Sequence, residues 1–386
     1  MDLQKIRASL QLDAIVLFAV EEILAATDLY MPKSCLIAND CGLTILCPEG
    51  AAGNAAAAAE NAEGAAGDAA AVAAGNAAGA AGNAEGAAGI RWVEYADYGF
   101  ERVERAQENL WAAVRQYLDF SGRTGFVKYT APAALLWEIG ASGGFRDISQ
   151  EIGIAMLCKS DAFYKKYDVV RQLNIQAYEG IRKQLHSGYT EQELCAIVRT
   201  AYVKNTGAQV CYTGDFLSGK RTCDISGPAT SKIIRKGDAI IADALCACEG
   251  VYCDTTRSYF CGEPDKEYIK AYNILSNILD ETAPLLRPGA LAADIYDFVN
   301  RRLVSEDYGR LPHHAGHGLG YSWYEAPYFI PDCHTILQED MFVTLEPGIY
   351  IPGKFGLRLE NNYRVTNHGG KDVFCYKQEI QDFIIN

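Results

Sequence analysis

The segment HHAGHGLGYSWYEAP, residues 313–327, gathers three of the chain's six histidines within five positions and surrounds the last of them with glycines. A neutral imidazole is a common metal ligand, and a glycine-rich backbone can approach its neighbours closely enough to aim one. His317, with Gly316, Gly318 and Gly320 around it, is therefore read as a metal ligand. His313 is either a substrate ligand beside the pocket or an ordinary residue, and His314 ranks behind both. His186, His334 and His368 lie among turn residues and read as surface.

Oxygen ligands come from two acidic hairpins. In GDAIIADALCACEGVYCDTTRSYFCG, residues 237–262, two β-rich runs flank ACEG. A turn symmetric about residues 248 and 249 pairs Leu245 with Tyr252 and Asp243 with Asp254, placing opposed Cβ atoms about 5 Å apart. Carboxylates so placed repel unless one is protonated or a cation lies between them. In MFVTLEPGIYIPGKFGLRLENNYRV, residues 341–365, a reversal near Gly353 sets Glu346 opposite Glu360. Asp243 follows the apolar run AIIA and Glu346 follows MFVTL, where unpaired charge is costly to bury. Four carboxylates and one imidazole suit two divalent ions, manganese ahead of cobalt, zinc or iron, better than a structural zinc, which prefers thiolates.

The elements that must position these groups follow from length and patterning. A chain of 386 residues with 49% apolar residues can bury two cores, so two domains are expected, at 1–150 and 151–386. The first alternates strand-like runs (DAIVLFAV, SCLIAND, LTILCPEG, RTGFVKY) with a helical run over 98–120, which reads as a small α/β domain. Residues 51–89 use only Ala, Gly, Asn, Glu, Asp and one Val, and NAEGAAG occurs twice. That composition offers no apolar stripe to dock, so it reads as a mobile low-complexity insertion. The second domain opens with amphipathic helices over 163–185 and 190–205, the latter with a Thr190/Glu193 capping box and a stop at Gly207. A second helical pair spans about 265–286 and 291–305. The formal charge of −14 argues against nucleic acid or anionic membrane partners and leaves small solutes. The first apolar run, AIVLFAV, is too short for a secretory signal or a span, and thirteen scattered cysteines read as reduced thiols, so a cytoplasmic protein is expected.

Residues 155–386 resemble the pita-bread metallohydrolase family, which includes methionine aminopeptidase, Xaa-Pro aminopeptidase, prolidase and creatinase. The resemblance rests on IIADALCACEGVYCDTTRS with Asp243 and Asp254, AGHGLG with His317, TLEPGIY with Glu346, and GLRLENNYRVT with Glu360. The N-terminal part is weakly similar to the creatinase-type N-domain of prolidases and Xaa-Pro aminopeptidases. The resemblance implies an α/β (α+β) fold, its second domain a pseudo-twofold, curved antiparallel sheet backed by helices and holding two metals. It implies Asp243 on one ion, Asp254 and Glu360 touching both, and His317 and Glu346 completing the other. A hydroxide shared by the ions would attack, and Glu346 would relay its proton to the leaving amine. Arg358 orients a carboxylate or substrate, or is an exposed strand arginine. A homodimer is the family expectation.

The pattern breaks at two places. Peptidase members usually carry a histidine where this chain has Ser226, and another, in an HE-x-P stretch, where it has Tyr324. Tyrosine still donates a hydrogen bond to a developing oxyanion. The expected function is a dinuclear metal-dependent hydrolase of a C–N bond, acting on an Xaa-Pro peptide or a small amide. The alternatives are a hydrolase or lyase of a small non-peptide metabolite and a non-catalytic binding scaffold.

Overall fold

Apolar runs without alternation, such as AIVL at 14–17, demand cover on both faces of a sheet, and the computed structural model supplies it. It describes residues 1–53, 85–86, 89–97, 106–134, 137, 144–206, 210–376 and 379–386. These fall into two compact units, Met1–Met156 and Leu157–Asn386.

The first unit contains α1 (Leu3–Ser9), β1 (Ala14–Leu17), α2 (Val20–Thr27), β2 (Cys35–Asn39), β3 (Gly42–Pro48), β4 (Glu85–Gly86), β5 (Ile90–Tyr95), α3 (Ala106–Tyr117), β6 (Thr124–Phe126) and β7 (Phe145–Asp147), with α4 (Ser149–Leu157) at its end. The seven strands form one mixed sheet in the order β4-β5-β3-β2-β1-β6-β7. Ile15, Leu17, Leu36 and Ile45 pack on one face with Ile23. Val16, Ile37 and Leu46 pack on the other with Val114 and Leu118 of α3 and its C-terminal flank. Of the expected insertion, residues 54–84 and 87–88 lie outside the described residues, as do 98–105 of the expected helix and Gly207, the expected stop. Glu85 and Gly86 pair with β5.

The second unit begins with α5 (Asp161–Gln184) and α6 (Glu191–Lys204), and α6 carries the expected capping box. β8 (Val210–Thr213) and β9 (Phe216–Ser218) precede a long hairpin of β10 (Ala239–Cys248) and β11 (Val251–Cys261). After α7 (Lys266–Thr282) and α8 (Ala292–Ser305) come β12 (His317–Gly318), β13 (Glu325–Tyr328), β14 (Phe342–Leu345), β15 (Gly348–Ile351), β16 (Phe355–Arg358), β17 (Asn361–Thr366), β18 (Gly369–Asp372) and β19 (Ile384–Ile385). The strands form two five-stranded sheets and the β15–β16 ribbon. Pairing within the unit is antiparallel except where β19 joins β11.

The first hairpin differs from the expected register. Leu245 faces Asp254 and Asp243 faces Thr256, because the turn is the two-residue loop Glu249-Gly250 with both φ positive, at 48° and 76°. That is the primed hairpin geometry matched to strand twist. The shift is two residues, so both acids stay on one face as diagonal neighbours. The second hairpin has the expected register: Leu345 faces Asn361 and Gly348 faces Arg358, bracketing Glu346 and Glu360. Helix α5 backs the first hairpin through a buried polar knot. Asn174 Nδ2 donates to Ala244 O at 2.7 Å and Thr255 Oγ1 at 3.1 Å, and Tyr202 OH donates to Asn174 Oδ1 at 2.6 Å.

In the first unit Glu22 is buried on α2, accepting from Thr130 Oγ1 at 2.7 Å and Ala19 N at 3.3 Å. Burial outweighs those bonds and pushes its carboxyl from the usual 4.5 up to about 7. The folded state therefore binds this proton more tightly than the unfolded chain. Its stability contribution is fully present below about pH 4.5 and is lost as pH rises through 7, about 3 kcal/mol in all. Glu22→Gln is expected to flatten that slope in urea unfolding followed across the window. An unchanged slope would refute the assignment.

Candidate metal centre

Five sequence-distant side chains converge because backbone bonds tie their strands together. Asp243 and Asp254 rise from the β10–β11 face, and Glu360 N donates to Thr256 O at 3.1 Å, fixing Glu360 beside β11. Glu346 N donates to Ala315 O at 2.9 Å, fixing Glu346 beside the histidine turn. His317 needs both its glycines. A Cβ on Gly316, whose φ is 149°, would lie 2.1 Å from Thr344 O, and one on Gly318 would lie 2.0 Å from Ala326 O.

Potential ligand atoms of Asp254, His317 and Glu360 lie within 4.8 Å of one another, and so do those of His313, His314 and Glu346. His317 Nε2 is 3.6 Å from Glu346 Oε1 and 4.0 Å from Asp254 Oδ2. Its Nδ1 lies 2.8 Å from Gly318 O, and donation to that carbonyl leaves Nε2 as the free lone pair. Burial lowers the pKa of His317, favouring the neutral ligand form.

The carboxylates divide their oxygens. One oxygen of Asp243 accepts from Arg358 Nη2 at 2.7 Å, and one of Glu360 accepts from Thr256 Oγ1 at 3.0 Å. Asp243 Oδ1, Asp254 Oδ1 and Glu360 Oε1 are buried without a hydrogen-bond partner, while Glu346 Oε1, also buried, faces His314 Nδ1 at 2.9 Å. Burial, then the charge of neighbouring carboxylates, pushes Asp254 and Glu360 well above the usual range. Burial also raises Asp243 despite Arg358. Glu346 goes the other way: burial opposes ionisation, but close contact with His314 and the nearby histidines hold it down at about 2. Orphaned buried oxygens around a neutral imidazole fit divalent cations, which would both neutralise and coordinate them.

The remaining expected residues fall around this cluster. Arg358 is buried, which discards the exposed-strand reading. Its guanidinium reaches Asp243, donates to Thr256 Oγ1 at 3.2 Å and Ile225 O at 2.8 Å, and approaches Tyr350 OH at 3.3 Å. His313 Nε2 is 2.9 Å from Tyr350 OH, and burial lowers its pKa to about 4. Tyr324 packs its ring 4.8 Å from that of His317, and burial raises its pKa, keeping a neutral donor. Its loop is pinned by buried Lys159, whose Nζ lies 2.6 Å from Glu325 Oε1. Ser226 is exposed beside Ile225, and His186, His334 and His368 are exposed as expected. His314, ranked low from sequence, belongs to the site: its Nδ1 lies 2.9 Å from Glu346 Oε1. Tyr350 was legible in principle, since Glu346, Gly348 and Tyr350 share an alternating face. Asp215, 3.7 Å from Arg358, carries no sequence signal of its own.

The chain belongs to the family described as Metallopeptidase family M24, whose model matches residues 165–367. It is 26% identical over 238 residues to an Xaa-Pro dipeptidase of Pyrococcus horikoshii, covering 61% of this chain and 68% of that one. A second Xaa-Pro dipeptidase, from Pyrococcus furiosus, is 28% identical over 200 residues, covering 51% and 57%. Among solved structures, an Xaa-Pro dipeptidase from Bacillus anthracis superposes with a TM-score of 0.77 at 21% identity, covering 99% of each chain. An X-Pro aminopeptidase from Thermotoga maritima superposes at 0.75 and 19% identity, covering 99% and 98%. These share the pita-bread fold.

Asp254→Asn keeps the shape and removes one of the mutually repelling charges. It is expected to raise the melting temperature of chelator-treated protein by roughly 2–8 °C, while metal content falls below one ion per chain. Thermal denaturation and elemental analysis check both. A lower melting temperature with full metal content would contradict the arrangement.

Proposed function

We propose that the chain hydrolyses the C–N bond of an Xaa-Pro dipeptide or short Xaa-Pro peptide, with Asp243, Asp254, His317, Glu346 and Glu360 holding two divalent ions. The observation that carries this is the set of three buried, unpaired carboxylate oxygens, on Asp243, Asp254 and Glu360, beside the neutral imidazole of His317 and the Glu346 carboxylate. The substrate class is supported by likeness to relatives named Xaa-Pro dipeptidase. The oxygen-rich donor set favours manganese among Mn, Co, Zn and Fe. When bound, such ions supply Lewis acidity and a water acidic enough to attack near neutral pH.

The chain's own groups do the rest. Glu346, ionised at neutral pH, accepts the proton of the attacking water and returns it to the leaving nitrogen. Arg358 fixes the orientation of Asp243. His313, neutral and bonded to Tyr350, binds substrate beside Glu346. Tyr324 donates to the developing oxyanion from its place against His317. Exposed Ser226 and half-buried Tyr324, standing where peptidase relatives usually carry histidines, favour a second reading: a small non-peptide amide as substrate.

The first unit is proposed as a creatinase-type N-domain and the molecule as a homodimer. A cytoplasmic location is consistent with thirteen unpaired cysteines, and no described helix is long and apolar enough to cross a membrane.

Elemental analysis coupled to a panel of Xaa-Pro dipeptides, longer Xaa-Pro peptides and small amides tests the reading. Manganese-loaded protein is expected to cleave an Xaa-Pro dipeptide, and Glu346→Gln to lower kcat by about 10²–10⁴-fold. Amide turnover without peptide turnover would select the second reading. Equal turnover by Glu346→Gln would discard the mechanism. Tyr324→Phe is expected to cost on the order of a hundredfold in kcat/KM, measured on the best substrate of the panel.

A further inference from the structure

The loop between β9 and β10 contains a strained residue. Ile225 has φ 71° and ψ −53°, and Ser226 N donates to Asp224 O at 2.8 Å. This is the rare γ-turn of positive φ, here at a β-branched side chain that disfavours it. Such conformations persist only where surrounding contacts impose them.

Those contacts flank Ser226 on both sides. The carbonyl of the preceding peptide, Ile225 O, accepts from Arg358 Nη1 at 2.8 Å. The N–H of the following peptide, on Gly227, donates to Asp215 Oδ1 at 3.1 Å. The two clamps are themselves joined, since Asp215 Oδ2 lies 3.7 Å from Arg358 Nη2, the nitrogen that holds Asp243 Oδ2 at 2.7 Å. Asp243 N also donates to Asp215 O at 2.9 Å. A bonded path thus runs from each peptide beside Ser226 to Asp243. The base of the loop is anchored separately, where Gly356 N donates to Thr222 Oγ1 at 2.7 Å. The Ser226 side chain stays exposed.

We propose that Asp215 is a positioning residue: with Arg358 it clamps the peptides either side of Ser226, forces the Ile225 turn and holds the exposed hydroxyl in fixed relation to Asp243. Ser226 thereby becomes a specificity-determining contact for substrate. The inference rests on the hydrolytic reading for its kinetic consequence, though not for its backbone consequence.

Three variants test it on full-length, manganese-loaded protein. Asp215→Ala is expected to speed hydrogen exchange at the Ser226 and Gly227 amides by about tenfold or more, with exchange in β10 and β11 unchanged. On the best panel substrate its KM should rise about tenfold, with kcat within about twofold. Asp215→Asn keeps an acceptor for Gly227 and should recover most of the exchange protection. Ile225→Gly removes the steric penalty, so its melting temperature should stay level or rise while KM increases. A merely structural isoleucine would not combine those two changes. Unchanged exchange in Asp215→Ala, or unchanged KM in both Asp215→Ala and Ile225→Gly, would overturn the proposal. Failure of the wild type to turn over anything in the panel would count against the hydrolytic reading, and the exchange result would still decide the clamp.

Discussion

Confinement of negative charge governs the second unit. Four carboxylates and an imidazole occupy an interior where the Arg358 guanidinium already spends its bonds on Asp243, Thr256 and Ile225. In such surroundings like charges repel far more strongly than in water. Burial and the neighbouring carboxylates shift Asp254 and Glu360 toward their protonated forms. A pair of divalent ions would serve the same neutralising role and add directional bonds to the bare oxygens.

The scaffold resists that repulsion with directional polar contacts. Asn174 and Tyr202 lock α5 and α6 to the first hairpin, and Asn362 Nδ2 donates to Asp254 O at 2.6 Å while accepting from Tyr167 OH at 2.8 Å. Close backbone approach at Gly316 and Gly318 leaves His317 little freedom to swing outward. Buried Lys159 fixes the loop of Tyr324 in the same manner. These contacts hold the clustered side chains in fixed relation, as precise coordination would require.

Much of this was legible because strand periodicity is forgiving. The first hairpin was displaced by two residues from the symmetric reading, since Glu249-Gly250 makes a tighter turn than expected. A two-residue slip keeps every side chain on its face, so Asp243 and Asp254 still meet; a slip of one would have separated them. The second register was right because Pro352-Gly353 marks its reversal plainly. Sequence could not rank His314 above surface histidines, since its role depends on where Glu346 comes to rest. Nor could it choose among the readings of Arg358, since its burial and its bond to Asp243 come from tertiary packing. Asp215 and Ile225 were invisible, because a γ-turn and its clamp are products of tertiary contact with no compositional mark.

The order of the ligands along the chain carries a consequence for biosynthesis. Asp243 and Asp254 leave the ribosome about a hundred residues ahead of Glu360, several seconds at ordinary translation rates. The nascent hairpin at first offers two acids alone, and His317 and then Glu346 follow before Glu360 completes the set. With the proposed donor set complete only once the last strands are made, the finished fold, and not the growing polypeptide, would decide what is loaded.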